Sequence, residues 1–146
     1  MRYSRIEIIT RADREDPSGR HVAWEIESTL GYRVRGVRTV AVYTVYSDLD
    51  DEAIRVFAAD VLCDPVLSIY AVNTPVGLKF PSFSWAVEVS FKLGVTDNVG
   101  HTAASVLSMI TGDGKYNRVY KSAQFLIDAD LEREQVEHIG KEILYN

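Results

Sequence analysis

The feature that most constrains this chain is an internal repeat. The turn Asp16-Pro17-Ser18-Gly19 precedes a stretch whose apolar residues recur every four positions, and Asp97-Asn98-Val99-Gly100 precedes a second such stretch. Gly31 and Gly112 stand where left-handed C-caps would end the two predicted helices. Two copies of one unit bury their apolar faces most easily against each other about a pseudo-two-fold axis. The repeat therefore predicts a symmetric fold.

The elements follow from periodicity and turn residues. Alternation and β-branched residues predict strands over residues 5–10, 37–46, 66–72, 85–92 and 116–127. Four helices are predicted: the first starts at Arg20, the second is capped by Asp50, the third lies between the last two strands and the fourth follows the last strand. Asp130-Leu131-Glu132 repeats Asp48-Leu49-Asp50 at the start of the last helix, and Val119-Tyr120 is interpreted as the counterpart of Val42-Tyr43. Further residues predicted to face the core are Val61, Phe91 and Ile110.

This order of elements predicts an α+β fold. We expect two fused strand-helix-strand-helix units, over residues 1–73 and 84–146, that form one compact domain with four helices on a largely antiparallel sheet. Residues 74–83, with two prolines and a glycine, are predicted to connect the units. The second unit has no counterpart of the strand at 66–72. We therefore expect that the protein continues beyond Asn146 or that a partner covers its last sheet edge.

Composition narrows the classes of function. A formal net charge of −5 and a pI near 5.2 argue against a nucleic-acid binder, which needs clustered Lys and Arg. The single cysteine, Cys63, excludes an internal disulfide and is interpreted as a core residue in a cytoplasmic protein. Apolar runs are too short to span a membrane or to form a signal peptide.

The residues do not predict a catalytic or metal site. His21 and His101 lie near the starts of equivalent helices and are interpreted as exposed polar residues, with an acid/base or metal pair as the alternative. Glu134, His138 and Glu142 share a helix face at spacings of four, which charged surface helices produce routinely. The segment 111–116 lacks the spacing of a phosphate-binding loop and is predicted to be a turn. The many tyrosines are typical of interfaces as well as of cores.

Several segments carry a resemblance to a known family. Asp16-Pro-x-Gly-Arg-x-Val, Leu30-Gly-Tyr-x-Val and Val37-Arg-x-Val resemble the small PurS-type subunit of phosphoribosylformylglycinamidine synthase. With Gly94-Val-Thr-Asp-Asn-Val-Gly-His-Thr-Ala, the whole chain is similar to the N-terminal double-PurS domain of a long PurL-type synthetase. The second half departs from the pattern, since His101 stands where the first half has Arg20.

The resemblance implies an assembly module of de novo purine biosynthesis with no catalytic activity of its own. Its implied partners are a PurL-type synthetase, in the same chain or separate, and a PurQ-type glutaminase, between which it would support ammonia transfer. ATP and Mg²⁺ would belong to the parent synthetase, and no cofactor is expected in this chain. Matching positions imply Arg20, Arg38 and Tyr43 as partner contacts. Association of the chain with copies of itself stays open.

A different class of function is also compatible with the residues. Paired strand-helix units can bind a metabolite at their interface, so a small-molecule-binding regulatory domain is the alternative. A saturable thermal shift with a nucleotide or an amino acid would favour this alternative.

Overall fold

Five strands and four helices are formed by residues 2–92, 94–112 and 117–145, which are the residues that this computed structural model describes. The strands are β1 Arg2–Thr10, β2 Gly36–Ser47, β3 Ser68–Val72, β4 Trp85–Ser90 and β5 Arg118–Asp128. The helices are α1 Pro17–Glu25, α2 Asp51–Phe57, α3 Asn98–Thr111 and α4 Arg133–Ile139. All but α3 continue into a π-helical turn, over Ile26–Leu30, Ala58–Leu62 and Gly140–Leu144. The predicted α+β class is confirmed.

The strands form one antiparallel sheet in the order β3-β1-β2-β5-β4. The two longest strands, β2 and β5, pair at its centre, and Ala41 lies directly opposite Ala123. Each central strand is flanked by the first strand of its own half. The sheet therefore has the pseudo-two-fold arrangement that the repeat predicts, with its axis close to Ala41 and Ala123.

Two aspartates tie a helix to the central strand of each half in the same way. Asp16 caps α1 through the N–H of Gly19 at 3.0 Å and also accepts the backbone N–H of Thr39 at 2.7 Å. Asp97 caps α3 through Gly100 at 2.8 Å and accepts the backbone N–H of Lys121 at 2.7 Å.

These equivalent bonds define the correspondence between the halves. Because Thr39 corresponds to Lys121, Ala41 corresponds to Ala123, and each pairs with its own counterpart across the sheet. Val119 then corresponds to Val37, whose carbonyl lies over Gly19 as that of Val119 lies over Gly100. The interpretation of Val119-Tyr120 as the counterpart of Val42-Tyr43 is therefore wrong.

The helices cover one face of the sheet. α2 and α3 pack on β1, β2 and β5 through buried residues that include Ile6, Val45, Phe57 and Leu107. α1 and α4 form a second cluster with β2, β4 and β5, around Ile26, Val37, Ile127 and Ile139. Burying these apolar surfaces is the main stabilising contribution to the fold.

The opposite face is covered at the end of the sheet where β1 and β5 finish and β2 begins. The connector, which includes a short 3-10 helix at Val76–Lys79, lies on Ile9, Val40, Val42 and Leu126. Glu7, which is only 4% exposed, accepts the backbone N–H of Val76 at 3.0 Å and fastens the connector to β1. The segment predicted as a plain linker is thus part of the core, because Val76 and two phenylalanines, Phe80 and Phe83, supply the apolar side chains that this face needs.

Some predicted boundaries and core residues differ from those observed. α1 begins at Pro17 and not at Arg20, since Asp16 is the N-cap. Val61, Phe91 and Ile110 are exposed to 38%, 53% and 58%, although they were expected in the core. Phe91 follows the last residue of β4, and the other two lie on the outer sides of their helices. The predicted turn at 111–116 lies mostly outside the described residues.

No helix within the described ranges is both long enough and apolar enough to cross a membrane.

Candidate functional site

Two of the three predicted contact residues, Arg20 and Arg38, line the same groove. The groove has a volume of about 380 Å³ and lies where α1, the connector and β5 meet. Four arginines line it, together with three acidic residues: Arg14, Arg20, Arg35 and Arg38, with Glu15, Asp16 and Asp128. We call it the arginine groove. Both halves contribute to it, because Asp128 belongs to β5 and the arginines precede the second unit.

Arg38 binds the backbone at the end of β1. Its guanidinium donates to the carbonyls of Thr10 and Arg11, at 3.1 and 3.3 Å, and to that of Ala12 at 3.2 Å. The guanidinium carbon also lies 4.9 Å from the centre of the Phe80 ring, a cation–π geometry. Arg38 thus joins the end of β1 to the connector, which is a structural role.

Arg20 and Arg35 differ from Arg38 in their partners. Arg20 has a side chain that is 79% exposed and forms an ion pair with Glu15. Arg35 binds Asp128 at 2.8 Å and Asp130 at 3.0 Å, and its hydrogen bond to Asp130 is the main reason that its pKa is raised. Exposed pairs of this kind are worth little in stability. Arg20 can therefore exchange its intramolecular partner for a ligand or a protein at low cost.

Tyr43 lies away from the arginine groove, on the helix-covered face of the sheet. It is half-buried beside the cluster formed by α2 and α3, and the ammonium of Lys121 lies 5.7 Å from the centre of its ring. Burial, and then the charge of Asp97, raise the pKa of its hydroxyl. Burial lowers the pKa of Lys121, and Asp97 opposes this effect. Tyr43 is thus not brought together with Arg20 and Arg38.

The face of the sheet opposite the helices carries, away from the connector, a surface that the sequence reasoning missed. Tyr3, Tyr46 and Tyr120 lie side by side there, with exposures of 55%, 37% and 47%. Tyr46 contacts the other two edge to face, with ring centres 5.6 and 5.9 Å apart. We call this surface the tyrosine face. The alternation of the strands carried the signal. Each of these tyrosines is next in sequence to a buried residue, so its side chain points to the opposite face of the sheet.

An ion pair spans the sheet next to the tyrosine face. Arg5 of β1 binds the carboxylates of Glu7, at 2.6 Å, and of Glu88 on β4. These contacts, above all the hydrogen bond to Glu88, raise the pKa of the guanidinium. Glu7 and Glu88 are counterparts under the pseudo-two-fold, as their pairing partners on β2 and β5 show.

The histidines lie in separate places. His21 contacts Glu25 at 2.6 Å on the exposed side of α1. His138 lies against Tyr32, whose hydroxyl is 2.8 Å from its Nδ1. His101 is exposed and lies where the first half has Arg20, since both follow their N-cap aspartate by the same number of residues. The described ranges contain no group of three or more residues placed to hold a metal ion.

Comparison with known proteins gives one structural likeness. No protein-family model matches the chain, and no curated protein matches it. The chain is similar to the crystal structure of Methanocaldococcus jannaschii PurS, one of the subunits of formylglycinamide ribonucleotide amidotransferase in the purine biosynthetic pathway. The two are 18% identical, with a TM-score of 0.44, and the match covers 49% of this chain and 92% of that one. A likeness at this level carries no functional argument.

Proposed function

We propose that this chain is a PurS-like assembly module of phosphoribosylformylglycinamidine synthase, without catalytic activity of its own. It binds a PurL-type synthetase and a PurQ-type glutaminase and holds them where ammonia passes from one to the other. The observation that carries the proposal is the use of the motif residues in the fold. Asp16 and Gly19, which belong to the family-like motif, make the same bonds and close approach as Asp97 and Gly100 in the second half.

The geometry supports a binding role through the tyrosine face. Three adjacent, exposed tyrosines on an antiparallel sheet are rigid and amphipathic, and such side chains are enriched where partners dock. The pseudo-two-fold sheet beneath them is continuous across both halves, so it holds the surface in one shape. A module that positions two enzymes needs this kind of preformed surface.

Co-expression with the synthetase and glutaminase of the same organism tests the proposal. We expect the chain to co-elute with them in size-exclusion chromatography and to be required for glutamine-dependent turnover. Replacing Tyr46 and Tyr120 by Ser removes two anchors with little effect on the fold and should abolish co-elution. The matched control replaces Trp24 and Met109 by Ser. These two side chains are 64% and 79% exposed on helices, away from the tyrosine face, so the control should still co-elute. If the unchanged chain elutes alone and turnover does not depend on it, the proposal is wrong.

One observation favours the alternative of a small-molecule-binding regulatory domain. The arginine groove lies between the two halves and carries an exposed Arg20 beside the more tightly held Arg38. This arrangement suits a small anion such as a phosphorylated or carboxylated metabolite. Thermal unfolding with ATP, AMP, inorganic phosphate and glutamine tests it. A saturable rise in Tm that is lost in Arg20→Ala would support this second function.

A further inference from the structure

The two ends of the sheet are unequal, and the first end shows what the second can bind. At the first end, β3 pairs antiparallel with β1. Asn73 donates its backbone N–H to the carbonyl of Arg5 at 2.8 Å, and its side-chain oxygen accepts the N–H of Arg5 at 2.8 Å. Tyr70 and Val72 of β3 pack into the helix-side core. The strand thus fills both a hydrogen-bonding edge and an apolar slot.

At the second end, β4 pairs with β5 and with no other strand of the described chain. The pairing registers show that β4 is the counterpart of β1. Ala86, Glu88 and Ser90 of β4 correspond to Arg5, Glu7 and Ile9 of β1, in that order. Arg5, Glu7 and Ile9 direct their backbone N–H and C=O groups toward β3. Their counterparts on β4 therefore direct theirs away from β5, toward the open edge of the sheet. An unpaired edge of this kind is a template for a further strand.

A groove of about 780 Å³ runs beside this edge. Its lining includes Val89 on β4 and Leu144 and Tyr145 at the end of the last helix. Their counterparts in the first half are Ile8, Leu62 and Cys63, which form one apolar cluster with Tyr70 and Val72 of β3. The groove is therefore the counterpart of the slot that β3 fills.

A basic side chain stands at the mouth of each slot. Arg11 follows β1 and donates to the carbonyl of Pro65 at 3.0 Å, while its backbone N–H binds the carbonyl of Leu67 at 2.8 Å. Lys92 takes the corresponding position after β4 and lines the groove. A strand in the second slot would thus meet a cation near its first carbonyls, as β3 does.

We propose that the edge of β4 and the groove beside it form a binding site for an extended segment of a partner polypeptide. The segment adds to the sheet antiparallel to β4, directs two apolar side chains spaced two residues apart into the groove, and places its first carbonyls near Lys92. We call this site the strand slot. The strand slot and the tyrosine face are different surfaces. The proposal for the strand slot does not depend on which enzymes the chain assembles with.

A second copy of the chain fits the strand slot poorly. The β4 of another copy has its own helix-side residues, Trp85, Val87 and Val89, packed beneath its own helices. Those side chains cannot enter the groove of this copy. A lone strand, whose side chains are free on both faces, satisfies the backbone edge and the apolar groove together.

The test uses a peptide with the sequence of residues 64–73, Asp-Pro-Val-Leu-Ser-Ile-Tyr-Ala-Val-Asn, added to the full chain. We expect saturable binding and at least tenfold slower hydrogen exchange at the amides of Glu88 and Ser90. The control peptide carries Asp in place of Tyr70 and Val72 and should not bind. Exchange at the amides of Arg5 and Glu7 should not change, since their edge is occupied by β3.

Ser90→Pro and Ser90→Ala form the matched pair of chain variants. Proline removes an outward N–H, which an edge strand tolerates, and its ring blocks the approach of a strand. We expect at least tenfold weaker binding in Ser90→Pro and unchanged binding in Ser90→Ala, with Tm similar in both. Equal binding by both variants would overturn the proposal, because the peptide would then bind elsewhere, for example by displacing β3.

A tethered version excludes weak affinity as an explanation. The sequence of residues 65–73 is appended directly after Asn146, where the first half continues from Asp64. Tethering raises the effective concentration to roughly millimolar. We expect protection of Glu88 and Ser90 and a Tm higher by roughly 2–4 °C or more, both lost with Ser90→Pro. Unprotected amides in the tethered chain would overturn the proposal, whereas failure of the enzyme co-elution would leave it standing.

Discussion

At the scale of single residues, the fold depends on a few positions with two functions each. Asp16 caps α1 and also accepts the backbone N–H and the hydroxyl of Thr39, so it fixes where the helix lies on the sheet. Gly19 allows that close approach, because a Cβ there would collide with the carbonyl oxygen of Val37. Gly100 meets the carbonyl of Val119 in the same way.

Gly19→Ala should destabilise the protein by about 2–3 kcal/mol, since the added methyl group must displace the helix from β2. Gly36→Ala is the matched control, because a Cβ at Gly36 meets no atom within 4 Å and its φ is not positive. We expect the control to change the free energy of unfolding by less than about 0.5 kcal/mol. Urea unfolding of both variants measures the difference. Equal effects would mean that the packing of α1 on β2 is not tight at this point.

Lys121 gives the stability a pH dependence that can be isolated. Burial lowers its pKa in the folded state below the ordinary 10.5, so the unfolded state binds more protons between the two values. Stability therefore rises as the pH increases through this window. Lys121→Met should be more stable than the unchanged chain at neutral pH, and the difference should shrink toward pH 10.5.

Urea unfolding at several pH values between 7 and 10.5 checks this prediction. Tyr43, whose pKa is raised from 10.0, acts in the opposite direction at the alkaline end, because a folded state that retains its proton loses stability there. Tyr43 is present in both proteins, so the comparison removes most of its effect. Parallel stability curves for the two proteins would contradict the prediction.

At the scale of elements, the connector behaves as part of the sheet core. Glu7 binds its backbone at Val76, Arg38 joins it to the end of β1, and Phe83 packs against Gly77. These contacts cover one half of the open face and leave the other half to the tyrosine face. The difference between the covered and the uncovered part of this face thus arises from a segment that has no secondary structure signal in the sequence.

Arg38→Ala and Arg20→Ala separate a structural arginine from an exposed one. Loss of Arg38 removes its hydrogen bonds to three carbonyls, of which only that of Arg11 keeps the backbone N–H of Arg14 as a donor. It should cost about 2 kcal/mol and increase proteolytic cleavage within 74–83. Arg20→Ala should change stability by less than about 0.5 kcal/mol. Urea unfolding and limited proteolysis, followed by mass spectrometry, measure both. If Arg38→Ala leaves the connector resistant, Arg38 is not what holds it.

At the scale of the whole molecule, the pseudo-two-fold axis organises the sheet. The central pair of strands brings residues 36–46 of β2 opposite residues of β5, and at Ala41 and Ala123 the two are counterparts. A single unit would expose the β2 edge and half of the core. It should therefore pair with a second copy of itself.

Residues 1–75 expressed alone should form a dimer through β2, with Ala41 of one copy opposite Ala41 of the other. Ala41→Cys, in a background with Cys63→Ala, should then form an intermolecular disulfide readily, because opposite residues of paired strands lie within disulfide range. Thr39→Cys is the control. In such a dimer, residue 39 of one copy lies opposite residue 43 of the other and not opposite residue 39, so this variant should cross-link poorly. A monomer in sedimentation, or equal cross-linking, would contradict this prediction.

Much of the fold could be predicted because its signals are local. The aspartate caps, the C-cap glycines and the alternation of the strands each depend on a few neighbouring residues, and Asp50, Gly31 and Gly112 have the predicted roles. Asp16 and Asp97 were predicted in turns before the helices and are instead their N-caps. The repeat also predicted the pseudo-two-fold arrangement, since two equal apolar faces have few other ways to be buried. Arg20, Arg38 and Tyr43 stay predictions as partner contacts.

The sequence by itself determined the order of elements, the cap at Asp50, the two C-cap glycines and the fold class of this protein. The tertiary structure alone decided the register of β2 against β5, the place of the connector on the sheet and the separation of Tyr43 from the two arginines. It also decided that Tyr3, Tyr46 and Tyr120 meet on one surface and that the sheet edge left without its strand is that of β4. The physical reason is distance along the chain: caps and alternation involve neighbouring residues, whereas these features join residues that only the packed sheet brings together.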